Sequence, residues 1–352
     1  MNIDLTDTTA GKIHNAILDA RRRSGSAATG AVLTLVIVTD EQGHYDALKA
    51  ATSASREHPS RILVVVARPG RGEPRLDAEV RTSGESGPGE VVILRMHGEL
   101  AHHADSVVLP LLLTDAPVVA WWPGGAPENP KTHPIGAIAQ RRITDAAASM
   151  EPMEELAKRA AGYTDGDTDL SWTRLSQWRT FLAGALDQVP ARVTAAWVES
   201  EPESPSAELL ARWLDNRLGV HVERATSNGP GITGVRLTTT VGDVAISRGD
   251  GRVAAISLPG SPQRSVALPR RPLTELLVEE LRRLDADEVY GESLRAPHDA
   301  HPAGAGPEPR GEGQPQDDQP HTDEHGDAHS GDPSDAPAEG GSEQEVLEGH
   351  PQ

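Results

Sequence analysis

The 352-residue chain has no cysteine and few aromatics: six Trp, three Tyr and one Phe. Without thiols there can be no disulfide, thiolate zinc site, iron–sulfur cluster or thiol-based redox control. No apolar run approaches the roughly 18 residues of a membrane-spanning helix. The opening Met1-Asn2-Ile3-Asp4-Leu5-Thr6-Asp7 lacks the basic and apolar regions of a signal peptide, so the expected location is the cytoplasm. Basic residues are outnumbered, 33 Lys and Arg against 53 Asp and Glu, for a net charge of −20. No basic run carries interleaved aromatics, which argues against nucleic acid as a partner. A P-loop, a Gly-x-Ser-x-Gly elbow and a His-Glu-x-x-His pair are all missing, so the residues give no argument for an enzyme.

The charge that is present is unevenly placed. From Ala296 to Gln352 there are 14 acidic residues and one basic one, with Val346 and Leu347 the only aliphatics larger than Ala. Such a segment buries too little apolar surface to offset its ordering entropy, and residues 296–352 are expected to be a disordered acidic tail. The remainder holds 39 acidic and 32 basic residues, a net of −7.

Ile13, Ala16, Ile17 and Ala20 keep helical spacing up to Arg21-Arg22-Arg23, which suits a helix C-terminus over about 9–23. Continuous apolar runs follow at 31–38, 62–67 and 91–94, with a helix near 43–57 and a short strand near 75–82. Runs without alternation read as parallel strands covered on both faces. Ala104, Val107, Val108, Leu111 and Leu112 form a helix face that Pro110 should break near Leu109, ahead of a strand ending at Trp121. The order implies an open α/β sheet over 1–150, mostly parallel with flanking helices. A helical connector follows at 151–188, with helices over about 151–162 and 170–187. From 189 to 295 a strand at 193–198, a helix capped by Ser206 and stopped by Gly219, five short strands and a helix begun by Pro272 read as an α+β domain.

Four of the six tryptophans fall in two short stretches, Trp121-Trp122-Pro123-Gly124-Gly125 and Asp169-Leu170-Ser171-Trp172-Thr173-Arg174-Leu175-Ser176-Gln177-Trp178-Arg179. Trp and Arg dominate binding hot spots, and the first stretch ends a strand where open α/β sheets meet their ligands. Trp121, Trp122, Trp172 and Trp178 are therefore candidate partner anchors. Arg174 and Arg179 are candidates to pair carboxylates on the partner, with Asp169 in the same stretch as a helix cap. Plain core packing accounts for each tryptophan equally well. The loop from Pro127 to Pro134 looks like a presented surface. Gly229-Pro230-Gly231-Ile232-Thr233-Gly234 matches G-x-G-x-x-G but leads into a strand, so no helix N-terminus stands ready for a pyrophosphate. His97, Glu99, His102 and His103 form the most metal-like cluster, with Glu99 and His103 on one helix face. A solvated helix start explains it better, and no metal or cofactor is assigned.

Three stretches, His58-Pro59-Ser60-Arg61, Ser106 to Val118 running into Trp121-Trp122, and Asp169 to Arg174, occur in an order that resembles the glucose-6-phosphate dehydrogenase assembly protein family, OpcA. The similarity covers about residues 1–294. It implies an N-terminal α/β domain and a distinct C-terminal domain. It also implies a non-catalytic partner that binds glucose-6-phosphate dehydrogenase and favours its active oligomer in the oxidative pentose phosphate pathway. Some relatives are associated with cysteine-based redox control, which cannot apply to this chain. The residues leave two alternatives open: a sugar-phosphate-sensing α/β protein, and a hydrolase or transferase with an unrecognised site. His58 and Arg61, just before a strand, read as residues that fix local structure.

Overall fold

The computed structural model describes residues 2–24, 30–82 and 90–296; the acidic tail from residue 297 on lies outside the described residues. Two sheets carry the fold. The first has eight strands: β1 (Asn2–Leu5), β2 (Leu33–Thr39), β3 (Ser60–Arg68), β4 (Arg75–Arg81), β5 (Val91–His97), β6 (Val118–Trp121), β7 (Arg141–Thr144) and β8 (Asp167–Asp169). Their order is β1-β4-β5-β3-β2-β6-β7-β8. The six from β5 to β8 run parallel; at one edge β4 pairs antiparallel with β5, and β1 antiparallel with β4. The apolar runs become the central strands, buried on both faces as continuous hydrophobicity requires.

Successive side chains on a strand point to opposite faces, and two separate clusters result. On one face Leu35, Ile37, Ile62, Val64 and Ile93 meet α2 (His44–Ala54) and α9 (Leu273–Arg282). On the other, Val36, Leu63, Val65, Val92 and Leu94 meet α1 (Ala10–Ser24), α3 (Ala104–Val108) and Ile135 of α4 (Pro134–Ala137). As expected, α3 stops before Pro110, and the chain tightens into a single 3-10 turn over Leu109–Leu111.

The second sheet holds β9 (Val193–Ser200), β10 (Val222–Thr226), β11 (Ile232–Thr239), β12 (Gly242–Ser247), β13 (Val253–Ser257) and β14 (Arg264–Ala267), in the order β10-β9-β11-β12-β13-β14. Only β9 and β10 pair parallel, joined by α8 (Pro205–Leu218). The α8 helix begins at Ser204, whose hydroxyl accepts the Ala207 N–H at 3.3 Å, and ends at Gly219 with φ of 63°. The cap is thus Ser204 rather than Ser206, whose hydroxyl instead donates to the Ser171 carbonyl at 2.9 Å. Between the sheets lie α5 (Pro152–Gly162), α6 (Leu170–Thr173) and α7 (Ser176–Leu186). The single helix expected over 170–187 is two, because Leu175 N–H bonds back to Trp172, three residues away, and tightens the chain there.

After the second sheet the chain returns. The α9 helix lays Leu276, Leu277 and Leu281 on the first sheet beside α2. Its Glu280 is buried. One carboxylate oxygen takes the Arg141 guanidinium of β7 at 2.7 Å and the other the Thr173 hydroxyl at 2.5 Å. The last helix, α10 (Glu288–Arg295), packs on α8 and α5. Removing one partner of a buried pair leaves an uncompensated charge, at about 3–5 kcal/mol. Urea unfolding of Glu280→Ala is expected to show a loss of that size, whereas the exposed Glu275→Ala shifts stability by less than about 0.5 kcal/mol.

Candidate partner-binding site

The strands β6, β7 and β8 end side by side, and their carboxyl ends carry the two tryptophan stretches. Asp169 closes β8 and starts α6. One of its oxygens accepts the Ser171 N–H at 2.9 Å; the other accepts the Thr144 hydroxyl at 2.6 Å and the Ala146 N–H at 2.9 Å. A single fully buried carboxylate thereby fixes the ends of β7 and β8 and the first turn of α6. Of the two caps that the sequence offered, Thr168 and Asp169, it is Asp169 that caps the helix.

The tryptophans are core, which corrects their reading as surface anchors. Trp121, Trp122, Trp172 and Trp178 are all 2% exposed or less. They enter three different clusters. Trp121 lies under α2 and α9, Trp122 on the opposite face of the sheet, and Trp172 and Trp178 in the core shared with the second sheet. Adjacent positions on β6 and its continuation face opposite ways, so Trp121 and Trp122 cannot form one patch. Trp172 donates its indole N–H to Asp287 at 2.8 Å and carries the Arg179 guanidinium 3.8 Å over its ring. Burial pulls the Arg179 guanidinium below its usual range, with partial relief from Asp287, Glu279 and Glu280. Arg174 pairs with Asp145 through both forks at 2.8 Å. Burial pushes the Asp145 carboxyl up against the pull of Arg174. Both arginines thus pair or stack within the chain, and the partly exposed Arg174 reaches a cleft.

That cleft, about 420 Å³, lies beyond the ends of β7 and β8 and against the strand ends of the second sheet, at Glu201, Ile232, Arg248 and Leu268. Arg174 and Trp178 line it with Met150, Arg248, Arg270, Arg271 and the start of α8. Met150 is 96% exposed at its mouth. Arg248 lies in neither tryptophan stretch, yet its position in the strand pattern marks it. Val244, Ile246 and Arg248 share one parity and all three are buried, so a charge sits where the β12 pattern calls for an apolar side chain.

The loop after Trp122 is only partly presented. Arg159 reaches across from α5 to the Pro127 carbonyl at 2.6 Å, and Pro130 is buried. A Cβ on Gly136 would sit 1.7 Å from the Pro130 carbonyl oxygen. His133 caps α4 by accepting the Ile135 N–H on Nδ1, and its ring meets Trp122 edge-on at 5.4 Å. Arg61 fixes local structure as expected, bonding Glu90 at 2.9 Å and the Leu111 carbonyl at 2.5 Å. The histidine cluster does not assemble. Gly98–His103 is a 3-10 helix with a three-residue period, so Glu99 and His103 do not share a face, and His97 turns to Asp77 at 3.3 Å. Among the described residues no group of three or more His, Asp or Glu could hold a metal ion.

The order β5-β3-β2-β6-β7-β8 is that of doubly wound dinucleotide-binding sheets, in which the first βα turn cradles a pyrophosphate. Here that turn reads Thr39-Asp40-Glu41-Gln42-Gly43-His44. Asp40 fills it, accepting the Gln42 and Gly43 N–H groups at 3.0 and 2.8 Å. Two N–H groups of this turn are thus taken by the chain's own carboxylate, which also repels a phosphate. Gly229-Pro230-Gly231 leads into β11, as expected, and not into a helix.

The family model for the N-terminal domain of the glucose-6-phosphate dehydrogenase subunit matches residues 51–161, and that for its C-terminal domain matches residues 165–294. The chain belongs to this family. The family is one of glucose-6-phosphate dehydrogenase-associated assembly subunits, and the border between its two domains falls just before β8. No curated protein matches the chain. Solved structures similar to it include oxidoreductases. KijD10, a 3-ketoreductase from Actinomadura kijaniata, covers 75% of this chain and 94% of its own at 10% identity and a TM-score of 0.38. The dehydrogenase MviM from Clostridium difficile covers 74% and 95% at 4% identity and 0.37. An oxidoreductase from Sinorhizobium meliloti covers 75% and 86% at 11% identity and 0.37. Likenesses this distant carry no argument about chemistry. No helix among the described residues is long and apolar enough to cross a membrane.

Burial lowers the His133 pKa from its usual value of 6.5, and protonating Nδ1 would also remove the α4 cap. The unfolded chain therefore binds this proton first. The corresponding stability is full above pH 6.5 and declines as pH falls from there toward the folded pKa. Thermal melting at pH 7.5 and 5.5 should show a smaller acid loss for His133→Asn, which keeps a cap acceptor but does not titrate.

Proposed function

We propose that the chain is a non-catalytic partner of glucose-6-phosphate dehydrogenase that binds the enzyme in the cytoplasm and favours its active oligomer in the oxidative pentose phosphate pathway. The match of both family domains over residues 51–161 and 165–294 carries this reading. The βα turn is consistent with the non-catalytic part, since Asp40 takes two of its N–H groups in a sheet of dinucleotide-binding order. An activator of this kind works by binding the active form more tightly than the inactive one. A coupling of about 1–3 kcal/mol changes apparent substrate affinity by roughly 5- to 150-fold.

Of the seven residues expected at the contact, we keep Arg174 as a contact residue, because its side chain is 32% exposed at the cleft beside Met150. Trp121, Trp122, Trp172, Trp178, Asp169 and Arg179 act from within, holding the surface in shape. The test is steady-state kinetics of the same organism's dehydrogenase with and without the purified chain, with gel filtration of the mixture. The chain alone is expected to be inert, to co-elute with the enzyme and to raise its activity or substrate affinity. Unchanged kinetics and elution at micromolar concentrations would reject the partnership. Trp172→Ala should lose about 3–5 kcal/mol of stability. Any lost activation should then track the unfolded fraction seen by circular dichroism.

A further inference from the structure

The cleft contains a positive charge that its surroundings do not neutralise. Arg248 is 5% exposed. Its two terminal nitrogens donate to the Leu268 and Ile232 carbonyls at 3.0 and 2.9 Å, and its Nε is buried without a partner. Carbonyl oxygens orient a guanidinium but supply no negative charge. Burial pulls the group below its usual range, neighbouring Arg270 pulls the same way, and only exposed Asp250 opposes them. The guanidinium also stands 5.0 Å from the Trp178 ring, which holds it in place.

Other groups around the same space are of matching character. Arg270 is exposed on the cleft wall and makes no ion pair among the described residues. The 14-residue α8 begins at the cleft, and its Ser206 N–H belongs to the first turn, where no intrahelical acceptor exists. That end of the helix favours anions. Arg174 and Arg271 are already occupied, by Asp145 and by Glu279. Two carboxylates, Glu201 and Glu203, also line the cleft, and neither forms an ion pair with Arg248 or Arg270 among the described residues. A volume of about 420 Å³ suits a small molecule. A tetrahedral dianion has enough oxygens to meet a guanidinium, a second arginine and a helix N–H together.

We infer that this cleft binds a small phosphate monoester, with Arg248, Arg270 and the start of α8 receiving the phosphate and Trp178, Pro202 and Pro269 facing its organic part. The inference stands apart from the dehydrogenase reading, because binding is read on the chain alone. The experiment is calorimetric titration of the full chain with inorganic phosphate and with glycerol 3-phosphate, at ionic strength held constant with chloride. Both should bind saturably, and the ester should bind at least as tightly as phosphate. Losing a charge-assisted contact should weaken affinity about tenfold or more in Arg270→Ala. Arg248→Met should abolish binding. Since that change also frees two carbonyls and can impair folding, the exposed Arg270 decides the question, with Arg264→Ala outside the cleft as an unaffected control. No saturable heat with either probe overturns the site, as does an affinity that Arg270→Ala leaves unchanged. Phosphate binding with the ester excluded overturns the monoester.

Discussion

The joint between the two sheets rests on one buried carboxylate. Asp169 holds the Thr144 hydroxyl and the Ala146 and Ser171 N–H groups, so two parallel strands end and a helix begins at a common point. From that point α6 sends Trp172 and Thr173 inward and α7 forms a wall of the cleft. The second sheet then reaches the first through α8, whose Ser206 hydroxyl bonds the Ser171 carbonyl. Losing any of the three donors leaves part of a buried carboxylate unsatisfied, at a cost of about 1–3 kcal/mol or more, so the strand ends and the helix start depend on each other.

Much of this architecture is legible in the sequence. The runs at 31–38, 62–67 and 91–94 are buried parallel strands because continuous apolarity leaves no wet face. Pro110 ends a helix, Gly219 ends another, and Asp169 caps a third. The missed strands are β1, β7 and β8, four, four and three residues long. The sequence of β7, Arg141-Arg142-Ile143-Thr144, looks solvated, yet all four residues are buried. Arg141 finds Glu280 and Arg142 finds Asp167. Partners 139 and 25 residues away are invisible to any local window.

The candidate site was less legible, for a related reason. Aromatic and basic residues in one stretch identify a place where energy is concentrated, but do not say whether the other half of each contact comes from a partner or from the same chain. Here it comes from the same chain: Asp145 meets Arg174, and Asp287 meets Trp172. The more informative irregularity was quieter. A lone arginine replaces an apolar residue in the alternation of Val244 and Ile246, and its charge faces a cleft instead of a carboxylate.

The return of α9 to the first sheet has a consequence for how the chain is made. Leu35, Ile37, Ile62 and Val64 belong to the first quarter of the sequence, whereas Leu276, Leu277 and Leu281, which cover them, emerge from the ribosome more than 200 residues later. At synthesis rates of about 5–20 residues per second, that face waits roughly 10–40 seconds for its cover. During that interval the nascent first sheet exposes a sticky surface, and chaperone occupancy is the natural way to protect it.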